Sequence, residues 1–151
     1  MSNDFDFLHG DWDVANRRLV KRLVGSDEWD EFPATSTARG FFDGAGSFDE
    51  ITFPTKGWSG ATFRMRSPET GDWSIYWVNS RTAELQPPVV GRFTDGVGTF
   101  YGDDVDDGTP VRVRFIWSRI TPTSARWEQA FSTDAERTWE TNWIMDHNRR
   151  S

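Results

Sequence analysis

Cysteine is absent from the 151-residue chain. That removes disulfides, thiolate nucleophiles and thiolate metal sites together, so stability has to come from packing. Histidine is nearly missing too, with only His9 and His147. A metal site would have to be carboxylate-rich or share one histidine with other ligands; none is expected, and no cofactor. Positive charge is short: a net charge of -7 and a pI near 4.8 argue against tracking a phosphate backbone, which needs a basic stripe. No apolar run approaches the roughly 20 residues that cross a bilayer. The first residues, MSNDFDFLHGDW, lack the basic start and apolar core of an export signal. These shortages lead to the expectation of a cytoplasmic protein with neither nucleic acid nor membrane as partner. Motifs of common chemistry are missing as well. There is no Gly-x-Ser-x-Gly elbow, and the glycines of GVG at 96–98 lie in a hairpin, not before a helix, so no phosphate cradle is formed.

Aromatic residues are abundant instead: nine Trp, twelve Phe and two Tyr make up 15% of the chain. Apolar and polar residues alternate with period two almost throughout, the pattern of half-buried strands. We read ten strands, at 12–23, 28–42, 46–53, 59–67, 72–80, 88–94, 97–103, 110–120, 123–132 and 137–147. One helical turn is expected in DFDFLHGDW, capped by Asp4 and ended by Gly10. Asp95 and Gly96 suit a tight hairpin that needs positive φ, and DDVDDGTP reads as a longer polar loop. A calcium loop in GDDVDDG fails on spacing, because Val105 occupies a ligand position. A series of short strands without a crossover helix closes most simply into an all-β, up-and-down antiparallel barrel of about ten strands, spanning residues 1–151 as one domain. A two-sheet sandwich is the alternative.

The stretch RWEQAFSTDAERTWETNWIMD tests which residues face inward. An odd loop, or a four-residue turn with one bulge, between its two strands puts Trp127, Gln129 and Phe131 on one face with Trp139, Thr141, Trp143 and Met145, and sends Arg126, Glu128, Glu140 and Asn142 to the other. The same sorting groups Trp73, Ile75, Trp77 and Asn79, and also Val111, Val113, Phe115 and Trp117. In GATFRMR it points Ala61, Phe63 and Met65 inward and Arg64 and Arg66 outward. The expected lumen is therefore aromatic with a few polar interruptions. It suits a hydrophobic or aromatic small molecule held by Phe63, Trp77, Asn79, Phe115, Trp117, Trp127, Gln129, Thr141 and Trp143. Asn79, Gln129 and Thr141 act as polar anchors in this reading, and a homodimer is allowed.

The segments FDFLHGDWDV, WSIYWVNSR, PPVVGRFTDGVGTFYGDD, RFIWS, RWEQAFS and RTWETNW resemble a bacterial lipocalin-like family without an assigned function, within the calycin-like barrels. The resemblance implies that Gly10, Asp11 and Trp12 close one end of the barrel, with Trp12 as a plug and His9 assisting. The chain is more distantly similar to nitrobindins, ten-strand barrels that hold haem through a histidine near the C-terminus. Their glycine and histidine motifs are absent here, and His147 is expected at the surface, on the frayed end of the last strand. Some calycin-like barrels catalyse ring closure by shaping a substrate. A metal-free isomerase or cyclase is therefore the alternative function, with Tyr76, Glu128 and Glu140 as candidate acids or bases, all three expected outside the lumen. A carbohydrate-binding module, which would need exposed rings, ranks third.

Overall fold

The computed structural model describes residues 4–150; residues 1–3 and 151 of the expected domain lie outside the described residues. Ten antiparallel strands close into one barrel: β1 (Gly10–Leu19), β2 (Trp29–Phe41), β3 (Gly46–Phe53), β4 (Trp58–Arg66), β5 (Trp73–Asn79), β6 (Val89–Thr94), β7 (Val97–Asp106), β8 (Thr109–Ser118), β9 (Ser124–Ser132) and β10 (Glu140–Arg149). Each strand pairs with its neighbours in sequence, and β1 pairs with β10 to close the ring. The sandwich alternative is thereby excluded. No helix among the described residues is long and apolar enough to cross a membrane.

The turns follow local chemistry. Asp95 and Gly96 take φ of 52° and 79°, the positive pair that a two-residue hairpin requires. Asp107 and Gly108 do the same, at 48° and 81°. The expected long loop at DDVDDGTP is consequently a tight turn, and Asp103–Asp106 belong to β7. Its acids fall on both faces: Asp103 is exposed, whereas Asp104 and Asp106 are half-buried in register with Phe100 and Gly102, and Asp106 is paired with Arg22.

One end of the barrel is plugged. The expected short helical turn is present as a single 3-10 turn, Asp6–Leu8, but Phe5, not Asp4, occupies its cap without a side-chain bond. The Asp4 carboxylate accepts a hydrogen bond from Trp73 Nε1 at 2.9 Å. Phe5 inserts between Trp73, Phe93 and Phe100, with ring centroids 4.8, 5.1 and 6.1 Å away. Trp12 is fully buried, and its Nε1 donates to Leu8 O at 2.8 Å. Arg149 fastens the plug by donating to His9 O at 2.5 Å and Phe7 O at 2.8 Å while its guanidinium lies 4.2 Å from the Trp12 ring. His9 packs beside Gly40 at this end, where a Cβ on Gly40 would meet the imidazole.

Two strands present faces opposite to those read from the pattern. In β4 the inward set is Trp58, Gly60, Thr62 and Arg64, so Ala61, Phe63 and Met65 face out. Phe63 is 40% exposed and pairs with Phe48 on the outer surface at 4.9 Å. Its assignment to the lumen is corrected: a buried carboxylate on β3 takes Arg64 inside, and the alternation carries Phe63 outward. In β10 the bulge lies within the strand, between Thr141 and Trp143. Beyond it Trp143, Met145 and His147 face inward. Before it the parity reverses, so Thr141 pairs with the outward Ala130, and Glu140 with the inward Phe131. Thr141 is thus no lumenal anchor, and Glu140 is not on the outer face. Its carboxylate accepts from Leu23 N at 2.7 Å, holding the β1–β2 loop across the barrel's other end. Trp139 also lies outside, against Arg114 at 4.6 Å and Tyr101 at 6.0 Å. Asn142, expected outside, is fully buried at the bulge and accepts from Gln129 Nε2 at 2.9 Å.

Candidate functional site

Strands of a ten-stranded barrel leave a lumen that their own side chains do not fill. Below the plug is a partly enclosed cavity of about 80 Å³. With roughly 10–15 Å³ needed per water, it has room for about five to eight waters or one small ring. Trp77, Phe115, Trp117, Trp127 and Trp143 form much of its wall, as the sequence suggested. The rings hold one another edge to face: Phe115 against Trp127 at 5.0 Å, and Trp127 against Trp143 at 5.7 Å. Trp143 Nε1 donates to the buried Asn16 Oδ1 at 2.9 Å, which fixes that indole.

Trp77 depends on a missing side chain. A Cβ on Gly60 would fall 2.0 Å from Trp77 Cη2, so the indole lies in the space glycine leaves across the strand pair. Gly60→Ala is expected to push Trp77 off the wall and to cost roughly 1–3 kcal/mol by overpacking. Urea unfolding and the near-ultraviolet circular dichroism of the indoles check both effects; an unchanged spectrum with unchanged stability would remove Trp77 from its assigned place.

The polar part of the lining differs from the sequence reading. Gln129 reaches the cavity, with its amide nitrogen already engaged by Asn142. Asn79 does not line it. Its Oδ1 accepts from the backbone N–H groups of Arg81 and Thr82 at 3.0 and 3.1 Å, closing the turn after β5. Asn79 sits at the strand's last position, where the turn's unpaired donors outcompete the lumen for its side chain.

The groups missed in sequence are Ser36, Asp49, Thr62, Arg64 and His147, which all line the cavity. Arg64, only 3% exposed, donates Nη2 to Asp49 Oδ2 and Nη1 to Ser47 Oγ at 3.3 Å. Its guanidinium lies 5.1 Å from the Phe5 ring and 5.9 Å from the Trp117 ring. Its Nε is buried without a hydrogen-bond partner.

His147 is 5% exposed, not superficial. Strand β10 runs two residues past it and pairs it with Val14, so the imidazole is held inside between Trp117 at 5.1 Å and Trp12 at 6.0 Å. Its Nδ1 is likewise unpartnered. Burial pushes its pKa down to about 4, against the attraction of Asp49, the Met145 backbone and Asp146, while Arg64 adds to the lowering. The imidazole is therefore uncharged at neutral pH. Asp49 neutralises Arg64 across the same space, so the deep end of the cavity is polar without net charge. The signal in the sequence was the acid of β3: Asp49 shares an inward face with Ile51 and Phe53 and needs a cation beside it.

A haem, the group carried by the nitrobindins, does not suit this lumen. The cavity is far below the roughly 300–1,000 Å³ of pockets for drug-sized molecules, and rings stand on His147 from two strands. Of the acid–base candidates, Tyr76 and Glu128 face out: Tyr76 pairs with the outward Phe63, and Glu128 with Ile144.

The chain matches no family model and no curated protein.

Proposed function

We propose that the barrel binds a compact, largely apolar or aromatic small molecule in its lumen, without a metal or nucleotide. The observation that carries this reading is the cavity itself: a partly enclosed space walled by Trp77, Phe115, Trp117, Trp127 and Trp143 and ended by a few convergent polar groups. Apolar walls supply affinity at roughly 25 cal/mol for each Å² removed from water, and polar groups orient the guest. The unpartnered Arg64 Nε and His147 Nδ1 supply hydrogen-bonding capacity at the deep end. An uncharged donor or acceptor suits that end, because a third charge there would have no counter-ion.

The lining favours binding over ring closure. A general base works best with a pKa near the operating pH, and His147 lies well below it.

Quenching of intrinsic Trp fluorescence by small phenols, aryl ketones, aryl amides and fatty acids tests the proposal. Compact uncharged aromatics are expected to bind, and long-chain acids to bind weakly. Trp127→Ala is expected to weaken all of them together, by roughly tenfold or more for the contact area lost. Gln129→Leu should chiefly affect ligands carrying a matching polar group. A panel in which no small aromatic binds would leave these rings as core alone.

A further inference from the structure

The end of the barrel opposite the plug carries a feature at odds with the acidic chain. A cleft of about 260 Å³ lies there, lined by Arg18, Leu19, Val20, Arg22, Asp30, Phe32, Lys56, Trp58 and Arg81. Four of these are cations and one is an acid, in a protein of net charge -7. Two cations are already compensated: Lys56 pairs with Asp30, and Arg22 Nε donates to Asp106 Oδ1 at 3.1 Å. Arg18 and Arg81 rest on rings instead. The Arg18 guanidinium lies 4.3 Å from the Trp143 ring, and that of Arg81 lies 4.1 Å from Trp58. Neither has a carboxylate at ion-pair distance among the described residues.

We propose that Arg18 and Arg81, backed by Arg22, form an anion site at the mouth of the barrel, taking a carboxylate or phosphate at one end of a ligand whose apolar body occupies the lumen. The part about the body rests on the lumen-binding reading above; the mouth stands on its own geometry. Trp143 joins the two, because it walls the cavity and carries Arg18. Trp58 joins them again, edge-on to Trp77 at 6.4 Å and beneath Arg81. The Arg18 Nε is buried without a partner and supplies a ready donor. Holding the cluster together is unfavourable without a counter-ion: burial, then repulsion from Arg22 and Arg81, brings the Arg18 pKa down to about 10, with Asp106 opposing. An anion supplies the missing charge and the missing acceptors at once. The deep end has unpartnered polar atoms but no uncompensated charge, because Asp49 already cancels Arg64. The ligand is thus oriented with its uncharged end inward.

Two probes separate the mouth from the lumen. Phenylbutyrate and its amide, phenylbutyramide, share the ring and differ in charge, and inorganic phosphate engages the mouth alone. By Trp fluorescence and calorimetry the acid is expected to bind roughly tenfold or more tightly than the amide, as befits a hydrogen-bonded charge. Arg18→Gln and, separately, the exposed Arg81→Gln are expected to shrink that ratio toward one by weakening the acid far more than the amide. Phosphate is expected to raise the wild-type Tm above that in chloride of equal ionic strength, and to lose this effect in Arg18→Gln. An acid-to-amide ratio near one in the wild type, or one that both variants leave intact, overturns the anion site. If neither organic probe binds, phosphate decides: stabilisation that depends on Arg18 supports the mouth while the lumen reading fails, and no such stabilisation refutes both.

Discussion

Lowering the pH from 7 to 4 is expected to cost the wild type about 3 kcal/mol more folding stability than it costs His147→Gln. The imidazole has a folded pKa of about 4, against the ordinary 6.5. In the unfolded chain it takes up a proton as the pH falls through 6.5, while in the folded barrel it resists until about 4. Its contribution to stability is therefore fully present above 6.5 and is lost progressively down to 4, at about 1.4 kcal/mol for each pH unit. Many surface carboxylates titrate over the same range, so the acid limb of one protein decides nothing. The difference between wild type and variant isolates His147, because Asp49, Asp146 and Arg64 are common to both. Urea unfolding at half-unit pH steps measures it. Parallel curves would mean that the imidazole is hydrated in the folded state, contrary to its position between Trp12 and Trp117.

The second large effect belongs to Arg64. Arg64→Met is expected to destabilise the protein by about 3–5 kcal/mol, because it leaves the Asp49 carboxylate buried without a counter-ion. Asp49→Asn should cost a similar amount by stranding the guanidinium. Replacing both, as Arg64→Met with Asp49→Leu, is expected to recover most of the loss, since a buried ion pair contributes little over well-packed apolar groups of similar volume. The non-additivity in this double-mutant cycle is the quantity of interest. A single-variant cost below about 1 kcal/mol would show a pair wetted by the cavity, with water taking the place of the lost partner.

These two residues also mark where the amino-acid pattern ceased to be informative. Strand number, hairpin positions and the inward faces of β5, β8 and β9 were legible, because alternation in Trp73, Ile75, Trp77 or Val111, Val113, Phe115 is unambiguous. In β4 both faces carry apolar residues, Trp58 and Gly60 on one, Phe63 and Met65 on the other. Counting hydrophobicity favours the wrong face, because it gives Arg64 no credit for a partner on β3. In β10 one bulge reverses the parity midway, and nothing local in ETNWIM distinguishes a bulge at Asn142 from one in the preceding turn. His147 was missed for a different reason. The length of a strand near a terminus depends on its partner, and Asp13 and Trp12 of β1 extend β10 past it. The lumenal rings were thus readable one strand at a time, whereas the polar groups required knowledge of what lies across the barrel.

Closure of the ring by β1 and β10 also dictates when the barrel can exist. Every other pairing joins consecutive strands, but this seam and the Arg149 clamp connect positions as much as 142 residues apart. During synthesis the first nine strands can zip in order as a growing curved sheet. Until β10 emerges, both the β1 and β9 edges keep unpaired backbone groups, and the tryptophan-rich concave face is open to water. Such a half-made sheet has the properties of an association-prone species, and its final step must meet the loop-closure entropy of nearly the whole chain before the new contacts can offset it. The last strand therefore acts as a timing element: the chain's exposure to misassembly ends when β10 docks.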